Sequence, residues 1–148
     1  MFEITSKNPE IMTFSCDNTS LTVNLAEGTV EAGLKVGKIE GPGEFEVGEI
    51  TVRGVGVESK TIYDIEINGI HVGIAGNVES NLDELGVVDI LCTSSVKAIK
   101  DLDPKLVIAT GNVDGMVTEL KLTARTEKKL KIKKIDSLPD VLEVVVLN

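Results

Sequence analysis

The sequence has 148 residues, 42% of them apolar, which suffices for one domain with a core that needs neither disulfides nor a metal to fold. Aromatic residues make up only 3% and tryptophan is absent, so the predicted core is aliphatic. The net charge of −9 disfavours nonspecific binding to nucleic acid or to anionic membranes.

The first part of the chain has the pattern of short β-strands. A short apolar strand is predicted at Ile11–Ser15, after Pro9, and Leu21–Leu25 alternates apolar with polar residues. Gly41-Pro42-Gly43 predicts a rigid turn, because proline fixes φ between two permissive neighbours. The β-branched, glycine-containing segment Ile50–Val57 predicts a further strand.

A β-hairpin follows. The segments Thr61–Ile67 and Ile70–Ala75 flank the dipeptide Asn68-Gly69. This dipeptide is the preferred pair for a type I′ turn, in which both central residues have positive φ. The sequence therefore predicts two antiparallel strands joined by a two-residue turn.

The remainder alternates strands with short helices, which indicates an α/β sandwich rather than a barrel. The predicted strands are Val87–Leu91, Leu106–Thr110, Leu130–Ile135 and Leu142–Leu147. Helices are predicted from Ser80 or Asn81 to Leu85, from Ser94 or Ser95 to about Leu102, and from about Asp114 to Leu122. Since no linker, repeat or low-complexity stretch interrupts the pattern, we expect a single domain over residues 1–148.

Charge is unevenly distributed along the chain. Residues 1–120 carry 8 basic and 20 acidic side chains, whereas residues 121–148 carry 7 and 4. Within the basic tail, "KLKIKK" alternates lysine with leucine and isoleucine, which predicts a strand with one buried and one lysine-covered face. Outward lysines also protect a sheet edge from pairing with other chains. We therefore favour a strand over a nucleic-acid patch here, and expect no nucleic-acid partner.

Cellular setting can be judged from the cysteines and from the amino terminus. Cys16 and Cys92 lie far apart in sequence and do not form a disulfide framework. The start "MFEITSKNPE" has neither a basic region nor an apolar stretch, so no signal peptide is expected. No apolar run approaches membrane-spanning length. We expect a protein of the reducing cytoplasm with no membrane partner.

Few residues are available for catalysis by familiar routes. A hydrolytic metal site needs several His, Asp, Glu or Cys ligands, and His71 is the only histidine. A mixed site of Cys16, Asp17, Cys92 and His71 is conceivable, although Cys92 lies in an apolar run and His71 in a predicted strand. Neither a nucleophile elbow nor a phosphate-binding loop is present. The alternating acidic pair in "GEFEV" is best explained as ordinary solvated side chains.

The order of four segments gives the sequence a resemblance to a known fold family. They read "GPGEFEVGEITVRGVG", "TIYDIEINGIHVGIAGN", "LGVVDILCTS" and "DLDPKLVIATGN". In this order they resemble the metallo-β-lactamase-fold hydrolases, and more narrowly the small Zn-dependent hydrolases of that fold. The resemblance implies an αββα sandwich with mixed and antiparallel sheets, and in its active members two metal ions.

The resemblance also implies that the metal ligands have been lost. The family's HxHxDH motif matches the segment "MTFSCDNTSL", and its HLGD motif matches the segment "IAGN". The family strand that ends in an IPMH histidine matches the segment "IATGN". The former ligand positions are then Cys16, Asn18, Ser20, Leu21, Asn77 and Gly111. His71 matches a position that is not a ligand. We therefore expect no metal, no other cofactor and no catalytic residue.

Relative to typical members, the chain begins almost at the HxHxDH strand, so the usual N-terminal strands are expected to be missing. A sheet shortened in this way would expose an unpaired edge. We therefore expect a homo-oligomer formed through the truncated edge, or another protein that covers it.

Two functions of different classes follow. The first is a non-catalytic relative of these hydrolases that acts as a binding or assembly module. The alternative is an enzyme with a repurposed cleft, either metal-free or holding an atypical metal. Its cleft would be lined by Cys16, Asp17, Asn18, Asn77 and Asn112. A role in RNA binding would rest on the lysines of residues 121–134 alone.

Overall fold

Two β-sheets face each other in the computed structural model, which describes residues 1–32 and 38–148. The first sheet contains β1 (Phe2–Asn8), β2 (Ile11–Cys16), β3 (Thr19–Asn24), β4 (Thr29–Glu31), β5 (Lys38–Glu40) and β13 (Lys129–Ile132). The second contains β6 (Gly43–Val47), β7 (Ile50–Val57), β8 (Lys60–Ile67), β9 (Ile70–Gly76), β10 (Ile90–Thr93), β11 (Leu106–Ala109), β12 (Ala124–Glu127) and β14 (Glu143–Leu147). The helices are α1 (Val96–Leu102) and α2 (Val113–Leu120), with short 3-10 turns at Leu82–Leu85 and Ile135–Ser137.

The two sheets differ in strand direction. The first has the order β13-β1-β2-β3-β4-β5, and its neighbours are antiparallel. The second has the order β12-β14-β11-β10-β9-β8-β7-β6; it is antiparallel from β6 to β9 and parallel from β9 to β12. Because β9, β10 and β11 are parallel, their carboxyl ends lie at one edge of the sandwich.

The buried apolar side chains form two clusters, one on each face of the second sheet. The inner cluster lies between the sheets and includes Phe14, Leu21 and Ile65. The outer cluster joins this sheet to the helices and includes Ile99 of α1 and Met116 of α2. Within the described ranges, both α-helices pack on the second sheet and none covers the first. The predicted mixed sandwich is confirmed, with its helical layer on one side.

The predicted hairpin is confirmed. Asn68 has φ 55° and Gly69 has φ 78°, as a type I′ turn requires. The turn fixes the register of β8 and β9, so that Ile67 pairs with Ile70. In the next pair, Glu66 lies opposite His71. These residues are only five positions apart in the sequence, so their pairing follows directly from the turn.

The predicted helices occur close to their expected bounds. The Ser95 hydroxyl accepts a hydrogen bond from the Ala98 amide at 3.1 Å, so Ser95 caps α1. The first predicted helix is a 3-10 turn that starts after Asn81. The following strand begins at Ile90, later than predicted, because Val87 is exposed on the connecting loop. No helix of the described ranges is both long and apolar enough to cross a membrane.

The basic tail forms the expected strand. In β13, Leu130 and Ile132 are buried while the intervening side chains are exposed. Lys129 and Lys131 lie 3.8 and 3.9 Å from the Glu3 carboxylate on the neighbouring strand β1. The lysines therefore cover the outer face of the edge strand β13 and neutralise an acidic neighbour.

The strand predicted at Ile11–Ser15 is not an unpaired edge of its sheet. The segment Phe2–Asn8, where no strand was predicted, forms β1 and pairs with β2 on one side and β13 on the other. Strand β2 also pairs with β3 along its whole length. It therefore lies inside the sheet, and a homo-oligomer formed through a sheet edge, or another protein that covers that edge, stays a prediction.

Candidate functional site

Polar residues follow the three parallel strand ends β9, β10 and β11. They are Asn77 after β9, Ser94 after β10, and Thr110 to Asn112 after β11. Backbone hydrogen bonds tie these loops together, since the Ser94 amide donates to the Gly76 carbonyl at 2.9 Å. The Asn112 side-chain amide donates to the Ser94 carbonyl at 3.3 Å. Crevices at the carboxyl ends of parallel strands are common ligand sites in such sheets.

A cleft of about 640 Å³ lies between these loops and the first sheet. The first sheet contributes Glu10 from the β1–β2 turn and Leu25 after β3. Lys60 lies at the start of β8 and donates from its amine to the Asn77 Oδ1 atom at 2.7 Å. Two further hollows, of about 730 and 590 Å³, also include Asn77 in their walls. Asn77 therefore lines all three of these neighbouring hollows.

The predicted cleft residues do not all come together. Asn77 and Asn112 line the cleft, but Cys16, Asp17 and Asn18 form the end and turn of the β2–β3 hairpin. That turn lies at the opposite end of the sandwich, beside Gly48 and Glu49 of the β6–β7 turn.

The chain geometry gives the scale of this separation. Glu10 borders the cleft just before β2, and Cys16 is the last residue of that strand. The two residues are therefore about 20 Å apart along the strand. The match of "MTFSCDNTSL" to a metal-binding motif was therefore wrong, because this segment runs away from the cleft and then turns back into β3.

The other former ligand positions are also separated. Ser20 and Leu21 lie on β3, where Ser20 is exposed and Leu21 is fully buried in the inner core. Gly111 lines the cleft together with Asn77. Of the six positions assigned by resemblance, only these two belong to the cleft.

Cys16 is part of a different cluster. Its thiol donates to the Glu49 carboxylate at 3.3 Å, and Asp17 completes a group whose potential ligand atoms lie within 4.8 Å of one another. In the described part of the chain, this is the one such group of three. Burial, with help from the Glu49 carboxylate, raises the pKa of the Cys16 thiol. Complete burial raises the pKa of Cys92 to about 12. Neither thiol has the environment of an activated nucleophile.

Comparison with family models and with curated protein sequences gives no match. Among solved structures, the chain is similar to a Thermotoga maritima protein whose crystal structure is described as that of a Zn-dependent hydrolase of the metallo-β-lactamase superfamily. The two share 18% sequence identity with a TM-score of 0.69, and the alignment covers 99% of each chain. The chain therefore has the metallo-β-lactamase fold.

The cleft does not fit the zinc that this fold family implies. Zinc sites use several His, Cys, Asp or Glu ligands. Among the described residues that line the cleft, Glu10 is the one carboxylate, and no histidine or cysteine is present. Residues 33–37 read Gly-Leu-Lys-Val-Gly and contain no histidine, cysteine or carboxylate. The remaining polar groups are amides, hydroxyls and the Lys60 amine, which are weak zinc ligands or none.

The polar cleft residues that sequence reasoning missed include Glu10, Lys60, Ser94 and Thr110. Ser94 was considered only as a helix cap, and its place after a buried strand could have identified it. Glu10 comes from a turn of the first sheet, and Lys60 comes from the start of β8 in the second sheet. Only the strand pairing brings them near Asn77, and no local pattern encodes that pairing.

Proposed function

We propose that this protein is a non-catalytic relative of metallo-β-lactamase-fold hydrolases and acts as a binding or assembly module. Its ligand occupies the cleft at the carboxyl ends of β9, β10 and β11. The observation that supports this proposal is the set of side chains around the cleft. It offers hydrogen-bonding amides and hydroxyls in place of metal ligands.

The chemistry of the cleft favours a small polar ligand or a polar segment of a partner protein. Asn77 and Asn112 present amide groups, and Ser94 and Thr110 present hydroxyls. Such groups both donate and accept hydrogen bonds, and the apolar lining residues that are not buried are Pro9, Leu25, Ala26 and Val78. The Lys60 amine and the Glu10 carboxylate are the two charged groups among the described residues that line the cleft.

Loss of catalysis follows from the same side chains. In a metal-dependent hydrolase the ion polarises the substrate and lowers the pKa of a bound water. A cleft whose described lining has one carboxylate and no histidine lacks the set of ligands that such an ion needs. The competing proposal of a repurposed enzyme depended on Cys16 lying in this cleft, and Cys16 lies at the other end of the sandwich.

Hydrolysis assays test the catalytic half of the proposal. Purified protein supplemented with Zn²⁺ or Mn²⁺ is assayed with a chromogenic phosphodiester, an ester and a β-lactam. We expect no rate above that of an Asn77→Ala variant measured in parallel. Turnover that the Asn77→Ala substitution abolishes would refute the assignment as non-catalytic.

A ligand screen tests the binding half. Thermal shift with a library of polar metabolites and short peptides is run on the wild type, on Asn77→Ala and on Asn18→Ala. Asn18 is an exposed asparagine at the far end of the sandwich, so it provides a matched control. We expect a hit that Asn77→Ala weakens and Asn18→Ala leaves unchanged. Equal loss in both variants would contradict a site at Asn77.

A further inference from the structure

A second polar cluster lies on the outer face of strands β7, β8 and β9, away from the cleft. Arg53, Asp64, Glu66 and His71 project from this face, where the strand register brings them side by side. Both oxygens of the Asp64 carboxylate lie close to the His71 Nδ1 atom, at 3.1 and 3.2 Å. The other ring nitrogen, Nε2, lies 3.5 Å from the Glu66 Oε2 atom.

Asp64 fixes the orientation of the imidazole. This carboxylate is buried, with 7% of the residue exposed, and its position is set by the Arg53 guanidinium at 3.6 Å. Arg53 is itself anchored, because it donates to the carbonyls of Glu84 and Leu85 at 2.9 Å each. Of the two neutral tautomers, the one with its proton on Nδ1 donates to the buried Asp64 carboxylate and leaves a lone pair on Nε2.

The Nε2 atom and Glu66 Oε2 are then two acceptors that face each other. Their separation of 3.5 Å is close to the spacing of two ligands on one tetrahedral metal ion. With metal–ligand distances of about 2.0–2.2 Å, that spacing is about 3.4 Å. A carboxylate that orients a histidine through its far nitrogen is also the usual arrangement behind a metal-bound imidazole.

The local charge and access favour a cation. The surrounding groove, of about 410 Å³, is also lined by Glu44, and Arg53 is the one cationic side chain among its described lining residues apart from the histidine. The His71 and Glu66 side chains are 31% and 45% exposed, so an ion can reach both and keep water ligands. Imidazole together with carboxylate suits zinc, nickel or copper better than magnesium or calcium.

We propose that His71 Nε2 and Glu66 Oε2 bind a divalent transition-metal ion, with Asp64 as the residue that positions the histidine. Water completes the coordination of the ion. This site is separate from the cleft around Asn77 and implies nothing about hydrolysis there.

The chain offers an unusually clean test, because it has one histidine. Two-dimensional ¹H–¹⁵N NMR of the imidazole ring reports the tautomer at neutral pH and its response to added Zn²⁺. We expect a proton on Nδ1 alone in the free protein and a shift of the Nε2 resonance on titration with Zn²⁺. A ring protonated on both nitrogens at neutral pH, or no response to millimolar Zn²⁺, would overturn the proposal.

Variants distinguish this site from other zinc ligands. Glu66→Gln keeps the size of an exposed side chain and is expected to weaken zinc binding more than tenfold. Asp64→Asn, which acts through the histidine, is expected to weaken it about 10–100-fold. Glu49→Gln, in the Cys16 cluster, should leave the His71 response unchanged. Zinc affinity that is undiminished in Glu66→Gln, or a His71 response that is lost in Glu49→Gln, would refute the assignment.

Discussion

Replacing Arg53 by methionine is expected to lower the free energy of unfolding by about 2 kcal/mol. The guanidinium joins the second sheet to the 3-10 turn through hydrogen bonds of 2.9 Å to the carbonyls of Glu84 and Leu85. Methionine keeps the apolar stem and removes both donors. The ion pair with Asp64 adds little to this figure, because the Arg53 side chain is 34% exposed and solvent screens the charge.

Urea unfolding followed by circular dichroism measures this loss, and thermal unfolding should show a melting temperature lower by about 4–8 °C. Hydrogen exchange adds a local readout, since the Gly86 amide, which donates to the Asp83 carbonyl at 3.0 Å, should exchange faster. Arg125→Met is the control: among the described residues, Arg125 forms ion pairs with the exposed carboxylates of Glu127 and Glu143, so a loss of about 0.5 kcal/mol or less is expected. Equal losses in the two variants would refute the anchoring role of Arg53.

Three further predictions concern pH, the thiols and the hairpin. Burial raises the pKa of Asp64 against the opposing effects of His71 and Arg53, so the folded state holds this proton more tightly than the unfolded chain. The free energy of unfolding of the wild type, relative to that of Asp64→Asn, should therefore fall as the pH rises from about 3.8 through the raised pKa of the folded state. A difference between the two proteins that does not change with pH would contradict this. Neither Cys16 nor Cys92 should react with iodoacetamide at neutral pH before the protein unfolds; rapid labelling of Cys16 would show that its burial is wrong. Gly69→Val should cost about 1–2 kcal/mol in urea unfolding, because Gly69 has φ 78°, and no loss would argue against the type I′ turn.

Local signals in the sequence predicted the parts of the fold that depend on neighbouring residues. Asn68-Gly69 specified the hairpin, and Ser95 specified the start of α1, because both act through their own backbone geometry. The strand Phe2–Asn8 was missed, since its polar residues "TSKN" hide the alternation in which Phe2 and Ile4 are buried. Its partners on β2 and β13 are specified only by the folded sheet.

The residues of the candidate site were predicted in part. The family resemblance placed Asn77 and Asn112 in one cleft, and both residues follow buried parallel strands whose carboxyl ends share an edge of the sheet. Cys16 was misplaced because a short apolar strand followed by small polar residues fits a turn as well as a ligand loop. The Glu66–His71 pair was within reach of sequence reasoning, since a two-residue turn after Ile67 fixes these residues opposite each other.

Crystals soaked in Zn²⁺ and measured at the zinc absorption edge test the central claim most directly, because anomalous scattering locates each ion. The account predicts no anomalous peak in the cleft between Asn77 and Asn112, whatever is found at His71 and Glu66. A zinc ion held by the loops after β9 and β11 would contradict it.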